Sequence, residues 1–159
     1  MKEIAFTRID DRLIHGQVVT NWLKYTNANK IIIADDKIPN DRLMQRVLTA
    51  AAPPNTVVKC LTVDQTVEYL NGEPKPNERI FILAKGPEVY ERMIDKGISI
   101  PRLNLAGMVN KAGREQLIKN VHATPEEKDC FRRIVAKGTK VFFQRLVNDP
   151  EEDVEPHLK

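Results

Sequence analysis

Cysteine is scarce: the 159 residues hold two, Cys60 and Cys130, with no CxxC spacing. Neither a zinc site nor a disulfide framework is therefore indicated. Histidine is almost as sparse, and His15, His122 and His157 show no metal-ligand spacing, so no metal is expected. Glycine occurs seven times, and Gly16 is the only one in the first 71 residues. That excludes the G-x-G-x-x-G turn of a dinucleotide site, although Asp35 and Asp36 follow Gly16 at about the right distance. No cofactor is expected. Nine aromatics and no long Lys/Arg runs argue against a nucleic-acid surface. No apolar run approaches the roughly 20 residues that span a bilayer. The opening MKEIAFTRIDDR carries charges where a secretion signal needs an apolar stretch. These absences lead to the expectation of a cytoplasmic protein with no direct membrane insertion.

What is present suffices for one core, since 42% of the residues are hydrophobic. The formal charge of +3 divides unevenly. Residues 1–148 carry 24 bases against 17 acids, whereas residues 149–159 (DPEEDVEPHLK) carry five acids against one base. A basic body suits an acidic or phosphorylated partner, or else forms an ordinary solvated surface. We therefore expect a single domain over residues 1–147 and a mobile acidic tail over 148–159.

Short apolar runs alternate with amphipathic stretches along the whole chain. Strands are expected at Ile4–Ile9, Lys30–Ala34, Val57–Leu61, Arg79–Ala84, Arg102–Ala106 and Lys140–Leu146. Between them lie helical patterns: Val18, Val19, Trp22 and Leu23 on one face, then Leu43, Met44, Val47, Leu48 and Ala51, then Val63, Val67 and Leu70. Thr62 and Gln65 have capping-box spacing, and Thr124-Pro125-Glu126-Glu127 combines a cap, a first-turn proline and acids facing the helix dipole. A weaker run lies around Leu117–Val121. Strands apolar on both faces, joined by helices, specify an α/β fold with an open, mostly parallel sheet and helices on both faces. Ligands in such folds sit beyond the carboxyl ends of the strands.

The turn after the first strand reads Asp10-Asp11-Arg12-Leu13-Ile14-His15-Gly16-Gln17. Its chemistry suits a phosphoryl group. A neutral imidazole at His15 offers a nucleophilic lone pair. Arg12 can pair bidentately with phosphoryl oxygens, and the first helix amides, at Gly16 and Gln17, favour an anion. Asp10 or Asp11 either holds Arg12 or accepts the proton of the second ring nitrogen of His15. A capping or packing role for His15 is the plainer alternative. Lys85, after the fourth strand, either adds a cation to the rim or is an ordinary surface lysine. Asp35 and Asp36 either order the His15 loop or start a helix.

The string Arg8-Ile9-Asp10-Asp11-Arg12-Leu13-Ile14-His15-Gly16-Gln17-Val18, with Trp22 and Ile33-Ala34-Asp35-Asp36 after it, resembles enzyme IIB of the mannose/fructose/sorbose class of the bacterial sugar phosphotransferase system. Asn40-Asp41, the Asn104/Gly107 region and Gly138-x-x-Val141-Phe142 extend the resemblance over the chain. It implies a sheet of about seven strands and phosphorylation of His15 at Nδ1 by phosphohistidine of enzyme IIA. It further implies transfer to a sugar held by membrane subunits IIC and IID, with Arg12 neutralising phosphoryl charge and Asp10 orienting Arg12 or His15. A non-enzymatic α/β module that docks a phosphorylated partner is the competing expectation.

Overall fold

A computed structural model describes residues 1–159. The chain runs β1 (Ile4–Asp10), α1 (Gly16–Thr26), β2 (Lys30–Ala34), α2 (Arg42–Ala51), β3 (Val57–Leu61), α3 (Val63–Leu70), β4 (Ile80–Ala84) and α4 (Pro87–Asp95). It continues through β5 (Arg102–Gly107), β6 (Glu115–Ile118), β7 (Val121–Ala123), α5 (Pro125–Ala136), β8 (Lys140–Phe143) and β9 (Glu152–Asp153). The main sheet has seven strands in the order β3-β2-β4-β1-β5-β8-β9. All neighbours are parallel except β8 and β9.

Strand side chains alternate between two cores, the physical reason the sequence shows continuous apolar runs. In β4, Ile80, Ile82 and Ala84 pack with α3, α4 and α5, while Phe81 and Leu83 pack with α1 and α2. Trp22 of α1 is 1% exposed and stacks on Phe6 of β1, with ring centroids 4.8 Å apart. That contact seats the start of α1 above β1. The expected capping box forms at Thr62–Gln65, and the expected helix start at Thr124 is also a capping box, closed by Glu127. After β1 the chain crosses on the α1/α2 side, whereas after β4 and β5 it crosses on the other. The carboxyl end of β1 therefore opens into the crevice where such folds hold ligands.

Two local expectations are corrected, and one run left unassigned in the sequence takes a definite form. Of the apolar residues of α2 only Leu48 is buried; Leu43 is 72% and Val47 55% exposed. The run around Leu117–Val121 is an antiparallel hairpin, β6–β7, turning at Lys119-Asn120, where Asn120 takes φ +64°. The acidic tail is docked rather than mobile. Its β9 pairs with β8, a 3₁₀ turn follows at Glu155–Leu158, and Val154 and Leu158 are buried in the α5-side core. Two apolar anchors and the open edge of β8 outweigh the solvation of the surrounding acids.

Candidate active site

Asp10 ends β1 with its side chain fully buried, and Arg12 and His15 of the following turn converge on it. Its Oδ1 accepts from the Arg12 backbone N–H and from Arg12 Nε, both at 3.1 Å. Its Oδ2 accepts from Arg12 Nη2 at 3.1 Å and lies 2.9 Å from Nε2 of His15. Arg8 Nη2 reaches the same oxygen at 3.4 Å. Burial pushes the Asp10 carboxyl pKa up, but the bonds from Arg12 and His15 and the Arg8 charge outweigh it and hold it below the ordinary value.

The turn is held by its own side chains. Leu13 and Ile14 insert into the α1/α2 core, and the Leu13 N–H returns to the Asp10 carbonyl at 2.8 Å. Leu13 takes φ +58°, a conformation that costs a non-glycine residue about 1–2 kcal/mol. Gly16, with φ +52°, turns the chain into α1 without that cost. The N-cap of α1 is His15 itself. No side chain caps the helix and no acid occupies its first turn, so exposed Gly16 and Gln17 present the positive end of the dipole.

The ring of His15 is 24% exposed, and its Nδ1 makes no hydrogen bond within the protein. A carboxylate accepts only, so in the neutral ring the 2.9 Å contact selects the tautomer with the proton on Nε2 and the lone pair on Nδ1. The site thus joins an oriented imidazole to a guanidinium that Asp10 holds at two nitrogens and that is 46% exposed. Such a pair is suited to receiving an anionic, electrophilic group.

The family model for the PTS system sorbose subfamily IIB component matches residues 4–159. The sorbose-specific EIIB component of Klebsiella pneumoniae is 35% identical over 152 residues, 96% of this chain and 93% of that protein. The mannose-specific EIIAB component of Escherichia coli is 32% identical over 148 residues, 93% of this chain but 46% of that longer protein. The crystal structure of the IIBSor domain of the Klebsiella pneumoniae sorbose permease superposes with a TM-score of 0.91 at 34% identity, covering 98% of this chain and 96% of that one. The chain belongs to the sorbose-subfamily IIB components.

As a IIB component it is a phosphotransferase of the sugar phosphotransferase system. The residues singled out in the sequence of this IIB chain separate into two groups. Asp10, Arg12, His15, Gly16 and Gln17 stand together, and Asp10 holds both Arg12 and His15. Asp11 instead turns to the loop after β5, accepting from the Val109 N–H at 2.7 Å with Arg114 Nη1 at 3.6 Å. Asp35 accepts from Lys37 and Ile38 N–H groups at the start of a 3₁₀ turn. Asp36 accepts from the Val63 N–H and pairs with Arg92 at 2.6 Å, which lowers its pKa. Both are helix-start residues without contact to His15. Lys85 is exposed and makes no ion pair.

Beneath Asp10 lies a buried layer absent from the sequence-based site. Arg8, 1% exposed, donates to Asn104 Oδ1 at 2.7 Å and to the Arg145 carbonyl at 3.1 Å, and its guanidinium lies 5.1 Å from the Trp22 ring. Burial pulls the Arg8 pKa down to about 10 despite Asp10 beside it. The same Arg145 carbonyl accepts from Trp22 Nε1, and Asn104 Nδ2 donates to the Gln144 carbonyl. Polar residues inside apolar strands signal this layer, but their partners come from β5 and the exit of β8. Beside Arg12 a cleft of about 470 Å³ opens between Gly107–Asn110, the β6–β7 turn and Arg145.

Proposed function

We propose that Nδ1 of His15 accepts a phosphoryl group from phosphohistidine of an enzyme IIA and passes it to a sugar bound by membrane subunits IIC and IID. The observation that carries this reading is the 2.9 Å contact between Asp10 Oδ2 and His15 Nε2, with Nδ1 left unbonded. In the first step the Nδ1 lone pair attacks phosphorus as the donor's N–P bond breaks, and the donor ring departs as neutral imidazole. The proton on Nε2 stays in place, and the positive charge developing on the His15 ring is offset by Asp10, as a carboxylate behind an imidazole does in hydrolases. Arg12 and the amides of Gly16 and Gln17 offset the phosphoryl oxygens. In the second step a sugar hydroxyl attacks phosphorus, the Nδ1–P bond breaks, the hydroxyl proton passes to solvent and the original imidazole is restored. Positioning and charge neutralisation are the contributions such a transfer needs.

The relatives named for sorbose and mannose support a sugar as final acceptor, and the solved relative named as a domain of a sorbose permease supports action beside a membrane transporter. No helix of the chain is long and apolar enough to cross a membrane. Incubation with phosphoenolpyruvate, enzyme I, the histidine phosphocarrier protein and a matched IIA should add one acid-labile phosphoryl group by intact mass. His15→Ala should add none. No addition to the native chain, or an addition that survives His15→Ala, contradicts the proposal.

A further inference from the structure

The cleft beside Arg12 is lined by charged and amide side chains, with only Met108 and Val109 apolar. A lining of that kind is poor for a protein segment, whose docking relies on apolar anchors. Its volume of about 470 Å³ falls within the range of small-molecule sites. Three cations border it, Arg12, Lys119 and Arg145, against one carboxylate, Asp11. The side chains of Lys119 and Arg145 make no ion pair or hydrogen bond within the protein, although Arg145 is half-buried.

Asp11 and His122 line this cleft, and each keeps one buried side-chain atom without a partner in the protein, Oδ1 and Nδ1. An unpaired buried carboxylate oxygen is costly, and it asks for a donor. The Asp11 carboxylate repels a bare phosphate dianion, whereas a neutral hydroxyl can donate to it. Cations and a carboxylate in one cleft thus favour a molecule that carries both a phosphate and hydroxyls.

Both walls are fixed in advance. The Arg145 carbonyl is clamped by Arg8 and Trp22, and Gln144 Nε2 closes the following loop onto the carbonyls of Val147 and Asp149. Opposite, the Met108 N–H donates to the Asn120 carbonyl at 3.2 Å and the His122 N–H to the Met108 carbonyl at 2.9 Å, locking the hairpin turn to the end of β5.

We infer that this cleft is a binding subsite for a hexose phosphate, with the phosphate between Arg145 and Lys119 and sugar hydroxyls on Asp11 and His122. The choice of a hexose phosphate rests on the proposed transfer from His15 to a sugar, which makes that molecule the product. Arg12 faces the cleft while held by the carboxylate that holds His15, so an occupied cleft and a phosphorylated His15 would compete for its free donors.

The test is an NMR titration of the unphosphorylated full chain with mannose 6-phosphate and with fructose 1-phosphate, followed at the amides of Val109, Asn110 and Asn120. At least one should bind saturably, with free mannose and inorganic phosphate about tenfold weaker or worse. Lys119→Ala and Arg145→Ala, which break no internal bond, should each weaken binding about tenfold while the remaining spectrum stays native. Absence of saturable shifts with both sugar phosphates overturns the inference. Equal affinity for inorganic phosphate, or binding untouched by both substitutions, overturns it as well. Phosphoryl acceptance is scored separately by intact mass. A chain that binds hexose phosphate but accepts no phosphoryl group therefore contradicts the carrier reading and leaves the subsite standing.

Discussion

Asp10 is shared by an imidazole and two guanidiniums, so a change of one atom there should disturb both chemistry and folding. In Asp10→Asn the new amide can donate to Nε2 and draw the ring proton to Nδ1, removing the lone pair from the exposed side. We expect His15 phosphorylation to slow on the order of 10³–10⁴-fold, measured by rapid-quench mass spectrometry. The same substitution leaves Arg8 buried without a counter-charge and should cost about 3–5 kcal/mol in urea unfolding. Arg12→Lys separates the two effects. It keeps a charge but loses the two-point grip on Asp10, so phosphorylation should slow about tenfold or more. Stability should change by less than about 1 kcal/mol, because the side chain is 46% exposed. The pKa of Asp10 is depressed in the folded state from an ordinary 3.8. Its contribution to stability is therefore fully present above that value and is lost as pH falls through the folded pKa. In Asp10→Asn this acid-dependent component should disappear from the stability–pH curve.

At the scale of elements, legibility in the sequence followed how local the deciding contacts are. The helix starts at Thr62 and Thr124 were legible because a capping box closes within four residues. The cluster of Asp10, Arg12 and His15 was legible for the same reason, lying within one turn. Arg8, Asn104 and Arg145 were not joined to it beforehand, because their contacts exist only once β5 and β8 lie beside β1. The helix α2 shows the opposite failure: an apolar stripe predicts burial, yet Leu43 and Val47 face outward. Leu43→Ser and Val47→Ser should accordingly shift unfolding free energy by less than about 0.5 kcal/mol, whereas Leu48→Ala should cost about 2–5 kcal/mol. The tail gave no periodic signal, since Val154 and Leu158 stand singly among polar and charged residues. Leu158→Ala should nevertheless cost about 2 kcal/mol or more in the same unfolding experiment. A freely mobile tail would give no change.

For the whole molecule, the α/β class and the position of the site both follow from a pattern that spans the chain. Strands apolar on both faces require helices on both sides, and the reversal of crossover direction beside β1 opens the sheet at its carboxyl end. Charge was legible only as a total. The basic surplus of residues 1–148 and the acids of the tail look separable in sequence, yet Glu151 pairs with Arg102 of the body. Arg12, Lys119 and Arg145 instead stand around the cleft near His15. An acidic, phosphorylated donor should be steered by that field, so the second-order rate of phosphorylation should fall by about tenfold between roughly 0.02 and 0.3 M salt. The central claim is that Asp10 holds the ring proton of His15 on Nε2 so that Nδ1 takes the phosphoryl group. Long-range proton–nitrogen NMR of the His15 ring, before and after phosphorylation by IIA, tests it most directly. We predict a proton on Nε2 in both states and phosphorus on Nδ1 in the second; phosphorus on Nε2, or a free ring protonated at Nδ1, would contradict it.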